Sequence, residues 1–375
     1  MRRRNWIIVL LVAMVTVLGG CQRRPLEAVF SNTVRVIVKC VWQVESYPEG
    51  EKPTGMTLFF FRDGDSVPRV VTTSNVESCE VQLEPGHYKL YMISQSPSEY
   101  WTMQFENMNT FSLAAASLET KTSRWYAPTR SHEDIVENPE SVEVAVAEEF
   151  DITQDMVENY QTYYQLWRTK TRAAATRAGG PTTKEDDEIQ QLAEQVQTYT
   201  IVIPLYPQNI TSQFEVVVYA GRADVLRSVR AATNGLARTF ELTQFITGPE
   251  AATQLIEQGW TMTMDDVDAR VGHVTGIITT FGLPNGEIPS ELRDPTLNMS
   301  ALLIDNRTEE NYTFYVGDKI TETKPAPGYR RKYRLVFGSA DNPAIILPDV
   351  IPEGGGGFVA NVSDWGEEVE AEIPI

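Results

Sequence analysis

Histidines, carboxylate pairs and a glycine cluster are the residues that could support acid–base, metal or phosphate chemistry, so their spacing comes first. His87, His132 and His273 lie far apart, and no two have the short separation of a zinc site. His87 follows a Pro-Gly turn and His273 falls in a strand-like stretch, positions that suit a solvated or packed imidazole better than a ligand. The pairs Glu148-Glu149 and Glu367-Glu368 have the residue types of a glycosidase acid and base, but that geometry is set by a fold rather than by adjacency, and solvated charge is the commoner reading. Gly354 to Gly357 lack the strand-to-helix context of a phosphate cradle and read as loop. No nucleophile elbow or dinucleotide fingerprint occurs. The expectation is a non-enzymatic chain with no catalytic residues, no metal site and no cofactor.

The residue whose context does predict a reaction is Cys21. It closes the run Leu18, Gly19, Gly20, Cys21, behind Arg2, Arg3 and Arg4 and an apolar stretch over residues 6–18. That stretch, roughly 13 residues, is short for a transmembrane helix and fits the apolar region of an export signal. Small residues before the cysteine let a peptidase reach the backbone, as in a bacterial lipobox. There the thiol is diacylated, the chain is cut before the cysteine, and the new amino group is acylated. Each buried methylene contributes about 0.8 kcal/mol, so several chains on one residue hold firmly to a membrane. The expectation is a signal peptide over 1–20 and lipidation, palmitate included, at Cys21. The alternative is an ordinary secretory peptide with a coincidental cysteine.

These groups must be carried by a chain of 375 residues, a length that predicts two domains. Asp and Glu number 51 against 32 Lys and Arg, giving a net charge of −19, and three of the arginines sit in the signal. Such acidity argues against a nucleic-acid partner. Cys40 and Cys79 remain, in a compartment where disulfides persist. Alternation puts Cys40 on the face of Val34, Val36, Val38 and Trp42, and Cys79 on that of Val81 and Leu83. Both sulfurs face a core, and both a Cys40–Cys79 disulfide and two buried thiols remain open.

Residues 21–33 read as a lipidated tether. Strand-like runs follow at 34–42, 56–61, 69–73, 79–83 and 88–93, with turns at 62–65 and 84–87, the pattern of a β-sandwich. Between 145 and 177 the rhythm breaks. Ile152, Met156, Tyr160, Tyr163, Tyr164 and Trp167 approach helical spacing, a polar loop covers 178–188, and a second short helix is expected at 189–196. The aromatic stripe is expected to be a packed face. Strands resume at 199–204 and 214–219 and continue at 225–231, 238–242, 271–281, 300–304, 312–316, 333–337 and 357–365, with a helical turn or two at 251–258. The expected organisation is an N-terminal β-sandwich over 34–205, with a helical insertion near 150–196, and a second β-sandwich over 206–375.

Four stretches carry a family resemblance: residues 231–238, 312–320 and 345–350, and the ending 354–365. They resemble the FimB-type fimbrial anchor and fimbrillin-associated lipoproteins of Bacteroidales, and the turn at 83–88 resembles the equivalent hairpin of their N-terminal domain. The resemblance implies two tandem transthyretin-like β-sandwich domains on an outer-membrane lipid anchor, with pilin subunits docked by strand exchange. It supplies no catalytic residues. The insertion at 150–196 departs from the family pattern. So do Gln22, Arg23 and Arg24, where an acidic stretch would resemble a surface-export signal, and the choice between periplasmic and cell-surface faces stays open.

The expected function is therefore a fimbrial anchor or assembly lipoprotein. Its partners are fimbrial or other extracytoplasmic protein subunits, bound through an open sheet edge, and the membrane, through the lipid on Cys21. The alternative is a carbohydrate-binding lipoprotein of a glycan-uptake system, for which Trp101, Trp125, Tyr126 and Trp167 are the candidate platform.

Overall fold

The structure is a computed structural model, and it describes residues 32–43, 52–127, 133–176, 183–268, 270–287 and 296–351. The signal peptide, Cys21, His132, Gly354 to Gly357, Glu367, Glu368 and the strand expected at 357–365 lie outside the described residues.

In chain order the first strands are β1 (Val34–Cys40), β2 (Met56–Arg62), β3 (Arg69–Thr73), β4 (Ser78–Leu83), β5 (Gly86–Ser94), β6 (Met103–Glu106), β7 (Ala115–Leu118), β8 (Ile135–Val136) and β9 (Glu143–Ile152). Helices α1 (Gln154–Ala175) and α2 (Thr183–Thr198) follow, then β10 (Ile201–Leu205), β11 (Gln208–Asn209), β12 (Ser212–Gly221), β13 (Leu226–Ala237), β14 (Thr239–Glu241), β15 (Ile246–Thr247) and β16 (Ala251–Ile256). The last are β17 (Thr261–Met264), β18 (Val271–Thr280), β19 (Thr296–Leu303), β20 (Glu309–Tyr315), β21 (Ile320–Thr323), β22 (Lys332–Phe337) and β23 (Ile345–Ile346). The chain is mainly β, and its sheets pair into sandwich-type units.

Two compact units form. The first holds the described residues up to Glu99, with Asn107–Ala114 and Val142–Asn209; the second holds Tyr100–Glu106, Ala115–Ser141 and the described residues from Ile210 onward. The range expected for the first sandwich, 34–205, thus cedes 100–106 and 115–141 to the second unit. β6, β7 and β8 are too short to show alternation, and only long-range pairing reveals them: β7 to β14, and β8 to β16.

In the first unit a three-stranded sheet, β10-β1-β4, faces a five-stranded sheet, β11-β9-β5-β2-β3. Alternation builds the core directly. Val34, Val36, Val38 and Cys40 of β1 meet Leu58 and Phe60 of β2 and Leu90 and Met92 of β5, all nearly or fully buried. The odd-phase residues, Arg35 and Ile37 on β1 with Glu80 and Gln82 on β4, point out of the sandwich. The α1–α2 hairpin lies on that outward face. Thr153 caps α1 by accepting from the Met156 N–H, and Asp155 in the first turn complements the helix dipole. Gln161 Nε2 donates to the Thr33 carbonyl at 2.6 Å, tying α1 to the start of β1.

The helical stretch differs in extent from expectation. Residues 143–152 are strand β9, so Phe150 and Ile152 belong to a sheet; α1 begins at Gln154, and α2 is twice the expected length. Val157 and Tyr160 are the buried residues of α1, whereas Met156 is exposed. Residues 251–256 correct the helical turn expected at 251–258. They form β16, between β13 and β8, with five of six residues buried. Ala, Gln and Leu favour helix locally, but burial between two strands overrides that preference.

In the second unit a sheet β17-β18-β12-β22-β21 packs against a sheet β20-β19-β13-β16-β8, with Phe214, Val216 and Val218 of β12 facing Val229, Ala231, Met299 and Ala301. A smaller sheet, β15-β14-β7-β6, is centred on Phe240, whose ring lies 5.9 Å from that of Phe281.

Candidate functional site

Sheet edges are the groups most able to recruit a partner chain, because each leaves a row of N–H and C=O groups unpaired. Among the described residues β20, seven residues long, is the longest strand paired on one side only; its partner is β19, from Thr296↔Tyr315 to Leu302↔Glu309. β20 contains neither proline nor glycine. Its side chains alternate between exposed and half-buried, and the half-buried Tyr312 and Phe314 pack against the core of the unit. Phe314 stacks on the buried Phe337 with centroids 4.4 Å apart, and Tyr312 follows at 6.4 Å from Phe314. A further strand laid against β20 would complete the ladder and cover both rings.

The opposite face of the same strands is fixed by a polar network. Glu309 accepts from Ser300 Oγ and, at 2.7 Å, from Arg230; these bonds hold its carboxyl below the ordinary glutamate range. The Arg230 guanidinium lies 4.8 Å from the Trp125 ring centre, and Trp125 Nε1 donates to Glu257 at 2.9 Å. Asn298 Nδ2 donates to the Tyr126 hydroxyl at 3.2 Å, and Asn298 Oδ1 accepts from Thr313 at 2.9 Å. The network anchors β20 from its first residue to its fifth and leaves its outer edge without a strand partner among the described residues.

The residues singled out from sequence fall elsewhere. His87 Nδ1 lies 2.7 Å from Asp151 Oδ1, a bond that raises the imidazole pKa, and His273 rests against Tyr219 with ring centres 5.0 Å apart. Glu148 and Glu149 are exposed on β9. Among the described residues no group of three or more His, Cys, Asp or Glu is placed to hold a metal. Cys40 and Cys79 are free, buried thiols. Burial pushes the Cys40 thiol up to about 12 and raises that of Cys79. Cys40 Sγ sits 3.6 Å from Met56 Sδ, so it faces the second sheet. Of the four candidate aromatics, Trp167 belongs to the first unit and Trp101, Trp125 and Tyr126 to the second. Trp125 and Tyr126 are engaged in the network, while Trp101 is 85% exposed. Sequence located the strand at 312–316; its standing as an edge, and the Arg230–Trp125 pairing behind it, depend on contacts distant in the chain.

A family model described as a domain of unknown function, DUF5119, matches residues 20–257, well over half of the chain. The chain belongs to the DUF5119 family. The DUF5119 match spans the first unit and reaches β16 of the second, so β20 lies beyond it. No match is found among curated proteins. Among solved structures, one of a candidate adhesin from Bacteroides ovatus aligns with a TM-score of 0.51 at 14% identity, covering 89% of this chain and 99% of that one. The fimbrial anchor protein Mfa2 from Porphyromonas gingivalis aligns at 10% identity with a TM-score of 0.41, covering 81% of this chain and 90% of that one. At these values only the Bacteroides ovatus structure speaks to this DUF5119 chain, and it speaks to the fold.

Proposed function

We propose that this DUF5119 protein is a non-enzymatic, lipid-anchored envelope protein that takes part in fimbrial assembly or adhesion by binding strand-rich extracytoplasmic subunits. The observation that carries the reading is β20, a seven-residue edge with two half-covered aromatic rings, no proline and no register shift against β19, whose charges are confined to its first two residues, Glu309, held by Arg230 and Ser300, and Glu310. Addition of a partner strand supplies main-chain hydrogen bonds for affinity and ring contacts for register. The lipobox-like run ending in Cys21 supports an outer-membrane anchor, and the fold shared with a candidate adhesin supports an envelope role. The polar network behind β20 holds the edge in place before a partner arrives, which lowers the ordering entropy lost on docking.

A glycan platform on Trp125 and Tyr126 is the weaker reading of this face, because Arg230 lies over the Trp125 ring and the Tyr126 hydroxyl is already bonded. The test is deletion of the gene, with fimbriae followed by electron microscopy and cell fractionation, alongside a pull-down with the lipid-free protein. Shed, missing or over-long fibres with fimbrial subunits in the pull-down are expected. Unchanged fibres and no such subunit would overturn the proposal.

A further inference from the structure

We infer that the space between the α1–α2 hairpin and the outward face of the β10-β1-β4 sheet is a binding site for a neutral saccharide ring. The hairpin roofs the sheet without filling the space beneath it, leaving a cavity of about 520 Å³. That falls within the range of roughly 300–1,000 Å³ typical of small-molecule sites.

The lining chemistry narrows the ligand class. On the α1 side, residues i, i+4 and i+7 form an aromatic ladder. Buried Tyr160 stacks on Tyr164 at 5.5 Å and 12°, and Tyr164 meets Trp167 at 5.9 Å and 35°. On the sheet side Arg35 donates to Glu80 at 2.5 Å, so the one cation and the one anion lining the cavity neutralise each other. A phosphate or carboxylate ligand gains little from such a pair. Arg35 Nε is buried and has no hydrogen-bond partner among the described residues, a donor that a ligand oxygen can satisfy. Gln197 adds an amide group that both donates and accepts, whereas the Gln82 amide oxygen already accepts from Thr33 Oγ1 at 3.3 Å. Mixed donors and acceptors beside aromatic faces match a ring with hydroxyls at its rim and C–H groups on its faces. This site is separate from β20 and takes a different class of ligand.

The test is saturation-transfer NMR of the full chain with D-glucose, D-galactose, D-mannose and N-acetyl-D-glucosamine. Transfer to the ring protons of at least one sugar is expected. It should fall by about tenfold both in Ala193→Phe, which puts bulk into the cavity without removing a polar group, and in Trp167→Ala, and it should persist in Trp125→Ala. Absence of transfer to all four sugars, or transfer that survives Ala193→Phe in a folded protein, would overturn the inference.

Discussion

Phe314, on the outermost strand of its sheet, stacks on the buried Phe337 at 4.4 Å between ring centres and 29° between planes. An edge strand that invites a partner must itself be held to the domain, and this ring is the link. Because Phe314 is only half-buried, Phe314→Ala should destabilise the chain by about 2–3 kcal/mol, under the ~3–5 of a fully buried phenylalanine. Urea unfolding measures it. No loss of stability would show that the ring does not fasten β20.

His87 and Asp151 are cross-strand partners on β5 and β9. The hydrogen bond that the protonated imidazole donates to Asp151 raises the His87 pKa above its ordinary 6.5. A raised folded value means that the pair's stabilisation is complete below the unfolded pKa and is lost as pH climbs through the folded one. The imidazole should titrate above 6.5 by NMR, and Asp151→Asn should lower its midpoint. An unchanged midpoint in that variant would contradict the pairing.

Cys40 and Cys79 are 2% and 5% exposed, and burial pushes both thiols upward. Thiolate is the reactive form, so neither should label with an aromatic disulfide reagent at pH 8 in the native state, and both should label in urea. Rapid native labelling would indicate a shifted strand register.

A fragment starting at residue 206 lacks β6, β7 and β8, and with them the buried Ala116, Leu118 and Val136. It should show no cooperative thermal transition and should be cut rapidly by protease. A sharp transition matching one of the intact chain would contradict the assignment of β6, β7 and β8 to the second unit.

The strands that were legible in the sequence are those whose partners lie close by or whose alternation is strong. β1 and β4 alternate cleanly because each has one face toward the core and one toward the helices, and the inward placement of Cys40 and Cys79 followed from that alone. β9 was hidden because its Glu- and Ala-rich run suits a helix, and only pairing with β5 and β11 makes it a strand. β16 was hidden for the same reason. β20 was visible as a strand through Tyr312 and Phe314, but an edge is defined by what does not pair with it, and no local pattern encodes that. The cavity under the hairpin was half-visible: the aromatic spacing of α1 predicts a packed face, while the outward Arg35 and Gln82 that complete the site come from strands far upstream.

The central claim is that β20 receives a partner strand. Hydrogen–deuterium exchange of the full chain, alone and with a fimbrial subunit recovered in the pull-down, tests it most directly. The account predicts that amides within residues 309–315 on the outer side of β20 become protected in the complex, while those of β10 and β3 exchange as before. A stable complex in which residues 309–315 exchange at their unbound rate would contradict it.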